Sequence, residues 1–355
     1  MEEDVRYRTV DLPFYQAEIA PHLPPIVLDF HTHIWSRSNW KAVPWETGAK
    51  GGTYMVTDLE YPVESLLADG RRAFPDREYR AVVFGQPTPQ ADHDKDTAFV
   101  AAAASHRGVY PLMVAGAELG VPRDSLRKRM DGHRFLGYKV FLNWTGDDYG
   151  NKRVEEMLSA NEMDLANERG LVVLLHVPRT GRLADPEVQR GVAWLSENWP
   201  NAKIVLAHCG RCYLPAEMAK AIHSLTRLSN VWLDTSMVMD ETVLEMVFDT
   251  IGPGRAVFAT DYPVAAMRGR RVRVMDHWVD IVLEGYPPSA WRVASNGIRA
   301  TFMSLEIALA VIGAGRRLGL SREEIHGVFY GNGMRILQSV DGGAAVRSVE
   351  KAWTA

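Results

Sequence analysis

Apolar residues recur along this chain in alternating rhythms. After Pro24 and Pro25 comes the run Val27-Leu28-Asp29-Phe30-His31-Thr32-His33, whose apolar start reads as a buried strand. Further on, segments with helical spacing lead each time into a short strand-like run. Val63–Phe74 leads to Ala81–Phe84, Thr97–Ser105 to Val109–Val114, Ser125–Met130 to Phe135–Leu142, and Val154–Arg169 to Leu171–Val177. Val188–Asn198 leads to Lys203–His208, Ala216–Leu228 to Val231–Asp234, and Glu241–Ile251 to Ala256–Thr260. Several of these strands are continuous apolar runs, as parallel strands buried on both faces require. With the first strand the pattern predicts eight strands with helices between them, and eight β/α units closing on themselves make an α/β (β/α)8 TIM barrel. A doubly wound open sheet is the alternative, because alternation alone does not show closure.

The remaining stretches predict decorations of that barrel. Residues 1–24 are polar and proline-punctuated, an N-terminal arm. Residues 34–57 carry Trp35, Trp40, Trp45 and Tyr54 without a period, a long loop over the end of the first strand. A loop of that size without its own structure is often a lid; the plainer reading is aromatics packed on the body or on a partner subunit. Residues 264–338 give further helical pattern, including Ser304–Leu318 and the capping box opened by Ser321 with Glu324. No linker marks a second domain, so the expected division is an arm (1–24), one barrel domain (25–338) and a C-terminal tail (339–355).

Composition narrows the class. The chain has 355 residues, 46% hydrophobic and 24% charged, enough for one large core. A net charge of −4 gives no footprint for a nucleic-acid partner. No apolar run approaches the roughly 18 residues of a membrane span, and the acidic start Met1-Glu2-Glu3-Asp4 lacks the apolar core of a secretion signal. Only Cys209 and Cys212 are present, so a cytoplasmic protein without structural disulfides is expected.

The ionisable residues fall where barrel enzymes keep their active sites, at the C-terminal ends of the strands. His31 and His33, one residue apart on a strand, point to the same side. Lys139 lies inside the fourth strand, His176 and His208 end the fifth and sixth, and Asp261 ends the eighth. Each histidine alone fits a satisfied structural residue. Together, six buried polar groups without partners would be costly, and a shared cation removes most of that cost.

These motifs resemble the amidohydrolase superfamily, more narrowly the amidohydrolase-related branch that includes aminocarboxymuconate-semialdehyde decarboxylase. The matching residues are Leu28–His33, Gly137-Tyr138-Lys139, Leu175-His176, Ile204–Gly210, Thr260-Asp261-Tyr262-Pro263 and Tyr330–Leu337, so the resemblance covers about residues 26–338. It implies that His31, His33, His176 and Asp261 bind a divalent metal, and that His208 binds a second metal or orients and protonates substrate. Lys139 matches a lysine that some relatives carry carboxylated (N6-carboxylysine) as a bridge between two metals. Zinc is the expected metal; iron and manganese suit the same nitrogen and oxygen donors. The chain departs from the common H-x-H-x-x-P pattern, with Trp35 and Ser36 following and no proline.

Other motifs carry less. Cys209-Gly210-Arg211-Cys212 has thioredoxin-like spacing but no redox domain around it. Gly313–Gly319 is glycine-rich but lies in a helical pattern with the wrong spacing for a phosphate loop. Arg268–Arg273 is a basic run, read as a solvated face or as an attractor of anionic substrate near the site mouth.

The expected activity is metal-dependent hydrolysis of a small-molecule amide, ester or lactone, with Asp261 as general base and then acid. Decarboxylation of an unsaturated carboxylic acid is an alternative; Arg37, Arg179 and Arg211, in loops after strands, are then the candidates to bind the substrate carboxylate. Dinuclear iron or manganese O2-dependent hydroxylation on the same barrel is another, and a non-enzymatic subunit keeping the barrel is a further one. The expected partners are the small-molecule substrate and a second copy or a partner subunit of the same fold.

Overall fold

The computed structural model describes residues 2–42, 58–86, 88–142, 149–283, 291–292 and 299–353. Trp45, Tyr54 and residues 143–148 lie outside the described residues. Eight barrel strands follow in chain order: β1 (Ile26–His33), β2 (Glu78–Phe84), β3 (Val109–Pro111 and Met113–Ala115, interrupted at Leu112), β4 (Gly137–Val140), β5 (Val172–Leu175), β6 (Lys203–Leu206), β7 (Val231–Asp234) and β8 (Ala256–Val257). Each pairs in parallel with the next, Lys139 of β4 beside Leu174 of β5 for example. At the interruption in β3 the Leu112 N–H still donates to Val83 O on β2.

The ring is joined between its first and last strands. Phe30 N–H donates to Phe258 O, Asp261 N–H to His31 O, and His33 N–H to Tyr262 O, each at 2.9 Å. An open doubly wound sheet has no such bonds between its outer strands, so the alternative falls.

Helices alternate with the strands: α1 (Val63–Ala73), α2 (His93–Ala103), α3 (Arg123–His133), α4 (Ala160–Arg169), α5 (Pro186–Asn198), α6 (Pro215–Ala221), α7 (Glu241–Ile251) and α8 (Met303–Arg317). Their ends follow local chemistry. Ser159 and Glu162 form a capping box at the start of α4, and Gly170 takes the left-handed conformation that ends it. Asp185 and Asp240 cap α5 and α7 with their carboxylates. The strand side chains are almost wholly buried, so one apolar core fills and surrounds the ring.

The arm and the tail gain detail, and one expectation changes, for part of 264–338. The arm is helical from Glu2 to His22, held by buried Tyr15 and Ile19 and by an ion pair between Asp11 and Arg268. Part of 264–338 is an antiparallel hairpin, β9 (Gly269–Val274) with β10 (His277–Val282), rather than helix. The tail after residue 339 includes a helix, Ala344–Ala352, whose Val346 and Val349 are buried. No helix among the described residues is long and apolar enough to cross a membrane.

Candidate metal centre

Six side chains expected at strand ends meet in one place. His31 and His33 are fully buried at the end of β1, with ring centroids 5.6 Å apart. His31 lies 5.9 Å from the His176 ring and 4.8 Å from the His208 ring; His176 and His208 are 4.7 Å apart. His31 Nε2 and His33 Nε2 approach Asp261 Oδ1 at 3.4 and 3.2 Å. Lys139 Nζ lies 3.1 Å from His31 Nε2, over the rings of Phe84 and Phe141.

Two overlapping donor sets have ligand atoms within 4.8 Å of one another: His31, His33 and Asp261, and His31, His176 and His208. Either could hold a divalent cation, and the donor chemistry suits one. Burial depresses the pKa values of all four histidines, with Lys139 adding to the effect, so neutral imidazoles present nitrogen lone pairs. Asp261 is pushed up by burial, but His31, His33 and His208 outweigh that and hold it below the ordinary carboxylate range. His176 Nε2 and His208 Nε2 are only 2.7 Å apart, a separation that requires a proton or a cation between them. Burial lowers Lys139 to about 7, which makes the uncharged amine accessible near neutrality.

The backbone at these strand ends is unusual. His208, Cys209 and Arg211 have φ of 55°, 50° and 61°, and Asp261 has 76°. Non-glycine residues seldom occupy that region and do so most often at functional sites.

The arginine candidates separate. Arg37 is exposed and lies 3.9 Å from the Asp58 carboxylate. Arg179 is held by Asp185 at 2.7 Å. Arg211 is partly buried, donates to Val177 O and Arg179 O, and has no carboxylate within ion-pair distance among the described residues. The basic run is largely engaged: Arg268 pairs with Asp11, and Arg271 is buried against Asp280 and stacked on Tyr213 and Trp278. Tyr213 in turn lies 6.0 Å from His208, so the hairpin buttresses one wall of the site. Cys209 and Cys212 are buried free thiols, and burial pushes Cys212 up to about 12, which leaves no reactive thiolate.

Sequence reasoning missed several participants. Asp234, at the end of β7, lies 2.8 Å from His31 Nδ1, and Ser236 reaches both His31 and His208. Asp29 accepts from Tyr79 and Thr260 beneath the site. Gln86 follows β2 with both side-chain amide atoms buried and unpartnered among the described residues. Asp234 ends an apolar run as Asp261 does, so the signal for it was present. Gln86 gave none.

No curated protein matches this chain. Solved structures do. An amidohydrolase from Burkholderia multivorans with bound zinc superposes with a TM-score of 0.56 at 17% identity, covering 88% of this chain and 99% of that one. 4-Oxalomesaconate hydratase from Rhodopseudomonas palustris gives 0.53 at 13%, covering 91% and 99%. 2,6-Dihydroxybenzoate decarboxylase complexed with 2,6-dihydroxybenzoate gives 0.52 at 12%, covering 89% and 100%. At such identities the likeness is one of fold. The model of the amidohydrolase family matches residues 28–338, and the chain belongs to that family.

Proposed function

We propose that the protein is a metal-dependent hydrolase of a small-molecule amide, ester or lactone. The observation that carries this reading is the convergence of neutral imidazoles and an anionic Asp261 at the C-terminal ends of the strands. A cation bound there supplies activation of water and polarisation of a carbonyl. Either donor set would hold it, His31 with His33 and Asp261 or His31 with His176 and His208. Asp261 Oδ1 would take the proton of the attacking water and return it to the leaving group, a role worth roughly 10²–10⁴ in rate. The rings of Phe84 and Phe141 lie 4.9 and 4.8 Å from Lys139 Nζ, an apolar setting for a fully buried amine.

Arg211 supports a second reading. A partly buried guanidinium with no carboxylate partner among the described residues, on the loop that follows His208, suits a carboxylate-bearing substrate, and a decarboxylase needs one. The two readings share the same metal ligands and differ in product.

The test is a panel of amides, esters, lactones and unsaturated carboxylic acids presented to the zinc-, iron- and manganese-loaded protein, read for hydrolysis, CO2 release and O2 uptake. Hydrolysis that falls at least 100-fold in His31→Ala, His176→Ala and Asp261→Asn, with the fold retained, is the expected result. Undiminished hydrolysis by metal-stripped protein or by Asp261→Asn would overturn the mechanism. CO2 release that depends on Arg211 would select the second reading.

A further inference from the structure

β7 ends in a polar triplet, Asp234-Thr235-Ser236, that is fully buried and supplies no donor to either cluster. Its contacts form a closed network. Asp234 Oδ2 lies 2.8 Å from His31 Nδ1. Asp234 Oδ1 accepts the backbone N–H of His208 at 2.7 Å, the backbone N–H of Ser236 at 3.0 Å and the Ser236 hydroxyl at 2.5 Å. Ser236 Oγ then lies 2.8 Å from His208 Nδ1, and the Ser236 carbonyl oxygen lies 3.1 Å from the same nitrogen.

Counting protons fixes the rings. A carboxylate only accepts, so His31 Nδ1 must carry hydrogen. The Ser236 hydroxyl gives its one proton to Asp234 and can only accept from His208; the nearby carbonyl can only accept as well. His208 Nδ1 must therefore also carry hydrogen. A neutral imidazole has one N–H, so Nε2 of both rings is a bare lone pair. Those two atoms face the centre: His31 Nε2 toward Asp261 and Lys139, and His208 Nε2 toward His176.

We infer that Asp234 and Ser236 are positioning residues that lock His31 and His208 together in the Nδ1–H form, so that His208 enters the resting site as a cation ligand and not as a proton donor. The tautomer assignment stands on the hydrogen bonds alone; the ligand role rests on the proposed metal site. One carboxylate thus serves residues from two strands, the His31 ring directly and the His208 ring through the Ser236 hydroxyl. Outer partners of this kind typically affect metal affinity by 10–100-fold.

Asp234→Asn is the discriminating variant. Its carboxamide has the carboxylate's shape, but its NH2 must face either His31 Nδ1 or the three donors gathered at Oδ1. The first arrangement drives the His31 proton to Nε2, and the second leaves donor against donor. Long-range 1H–15N spectra of metal-stripped, histidine-labelled full chain at pH 8, assigned with His31→Ala and His208→Ala, read the tautomers directly. The wild type is expected to show both rings as Nδ1–H. Asp234→Asn should convert His31 to Nε2–H and weaken zinc binding at least tenfold in a chelator competition, with the circular dichroism of the stripped protein unchanged. Ser236→Ala, in which the carbonyl still accepts from His208, should lose less zinc affinity, and Ser236→Thr should restore it. Nε2–H rings in the wild type would overturn the assignment, as would an Asp234→Asn protein with unaltered tautomers and zinc affinity. Should Asp234→Asn not fold, the wild-type spectrum decides alone. Expected tautomers in a chain that takes up no zinc would count against the metal site and leave the positioning network standing.

Discussion

Lys139 is the residue whose environment asks most of it. It has no exposed surface, sits over two aromatic faces, and is lowered by burial to about 7. Only the uncharged amine adds CO2, so this setting favours a carbamate that could bridge two cations where an ammonium has no lone pair to offer. Should the chain bind two metals, Lys139→Ala is expected to lose one of them and most activity, with partial rescue by short carboxylic acids; two metals retained in that variant would defeat the bridge. Gln86 poses the opposite problem, a buried amide with neither atom paired among the described residues. Phe84 faces His31 and His33, and a Cβ on Gly85 would strike Asp96, so the alternation of an extended chain carries Gln86 to the site side. Gln86→Leu should stabilise the substrate-free protein by about 1–3 kcal/mol in denaturant titrations, because a buried polar group without partners is removed. The same change should raise KM more than it lowers kcat. His31, His33, Lys139, His176, His208 and Asp261 were readable from sequence because a polar residue closing or interrupting an apolar run is a strong contrast. Gln86 lies two residues past its strand, where that contrast has ended.

At the scale of elements, the strands could be read because parallel barrel strands are apolar on both sides, and the helices because their faces recur with a regular period. The hairpin β9–β10 could not. Its inward position is Arg271, buried against Asp280 and between Tyr213 and Trp278, so the face that packs on the barrel is a charge pair with aromatics and gives no hydrophobic alternation. The helices of the arm gave no periodic signal either: a few buried residues such as Tyr15 and Ile19 anchor a segment that is otherwise polar. The strand that carries Lys139 depends on Gly137, where an added Cβ would lie 2.0 Å from Val172 O of β5. That neighbour is backbone and cannot rotate away. Gly137→Ala is therefore expected to cost about 3 kcal/mol or more of stability and to disturb metal binding through β4, measured by denaturant unfolding and zinc content. An unchanged midpoint would show that the sheet can part there without loss.

At the scale of the whole molecule, a cation held by the folded chain alone adds stability in proportion to its concentration over its Kd, about 4 kcal/mol at a thousandfold excess. Stripping the metal should lower Tm by several degrees, and re-addition of zinc should restore it. Acid acts elsewhere. Burial raises Asp96 to about 7 from an ordinary value of 3.8, even though Gln86 N–H and Asn39 donate to it. The folded chain thus binds this proton more tightly than the unfolded one. The contribution is fully present below about pH 4 and is lost as pH rises through about 7. Asp96→Asn should flatten that part of the stability profile; an unchanged slope would assign it to other groups. The bonds that close the ring between β1 and β8 also have a consequence in time. His33 and Asp261 meet across 228 positions of sequence, so the donor set spans almost the whole barrel. A growing chain emerges N-terminal end first, and contacts of such separation form late. A nascent chain made through β7 already displays four histidines but lacks the carboxylate, and can offer a cation only a partial grip. Full capture of the metal would then mark the moment when synthesis has passed Asp261 and the last barrel strand has docked.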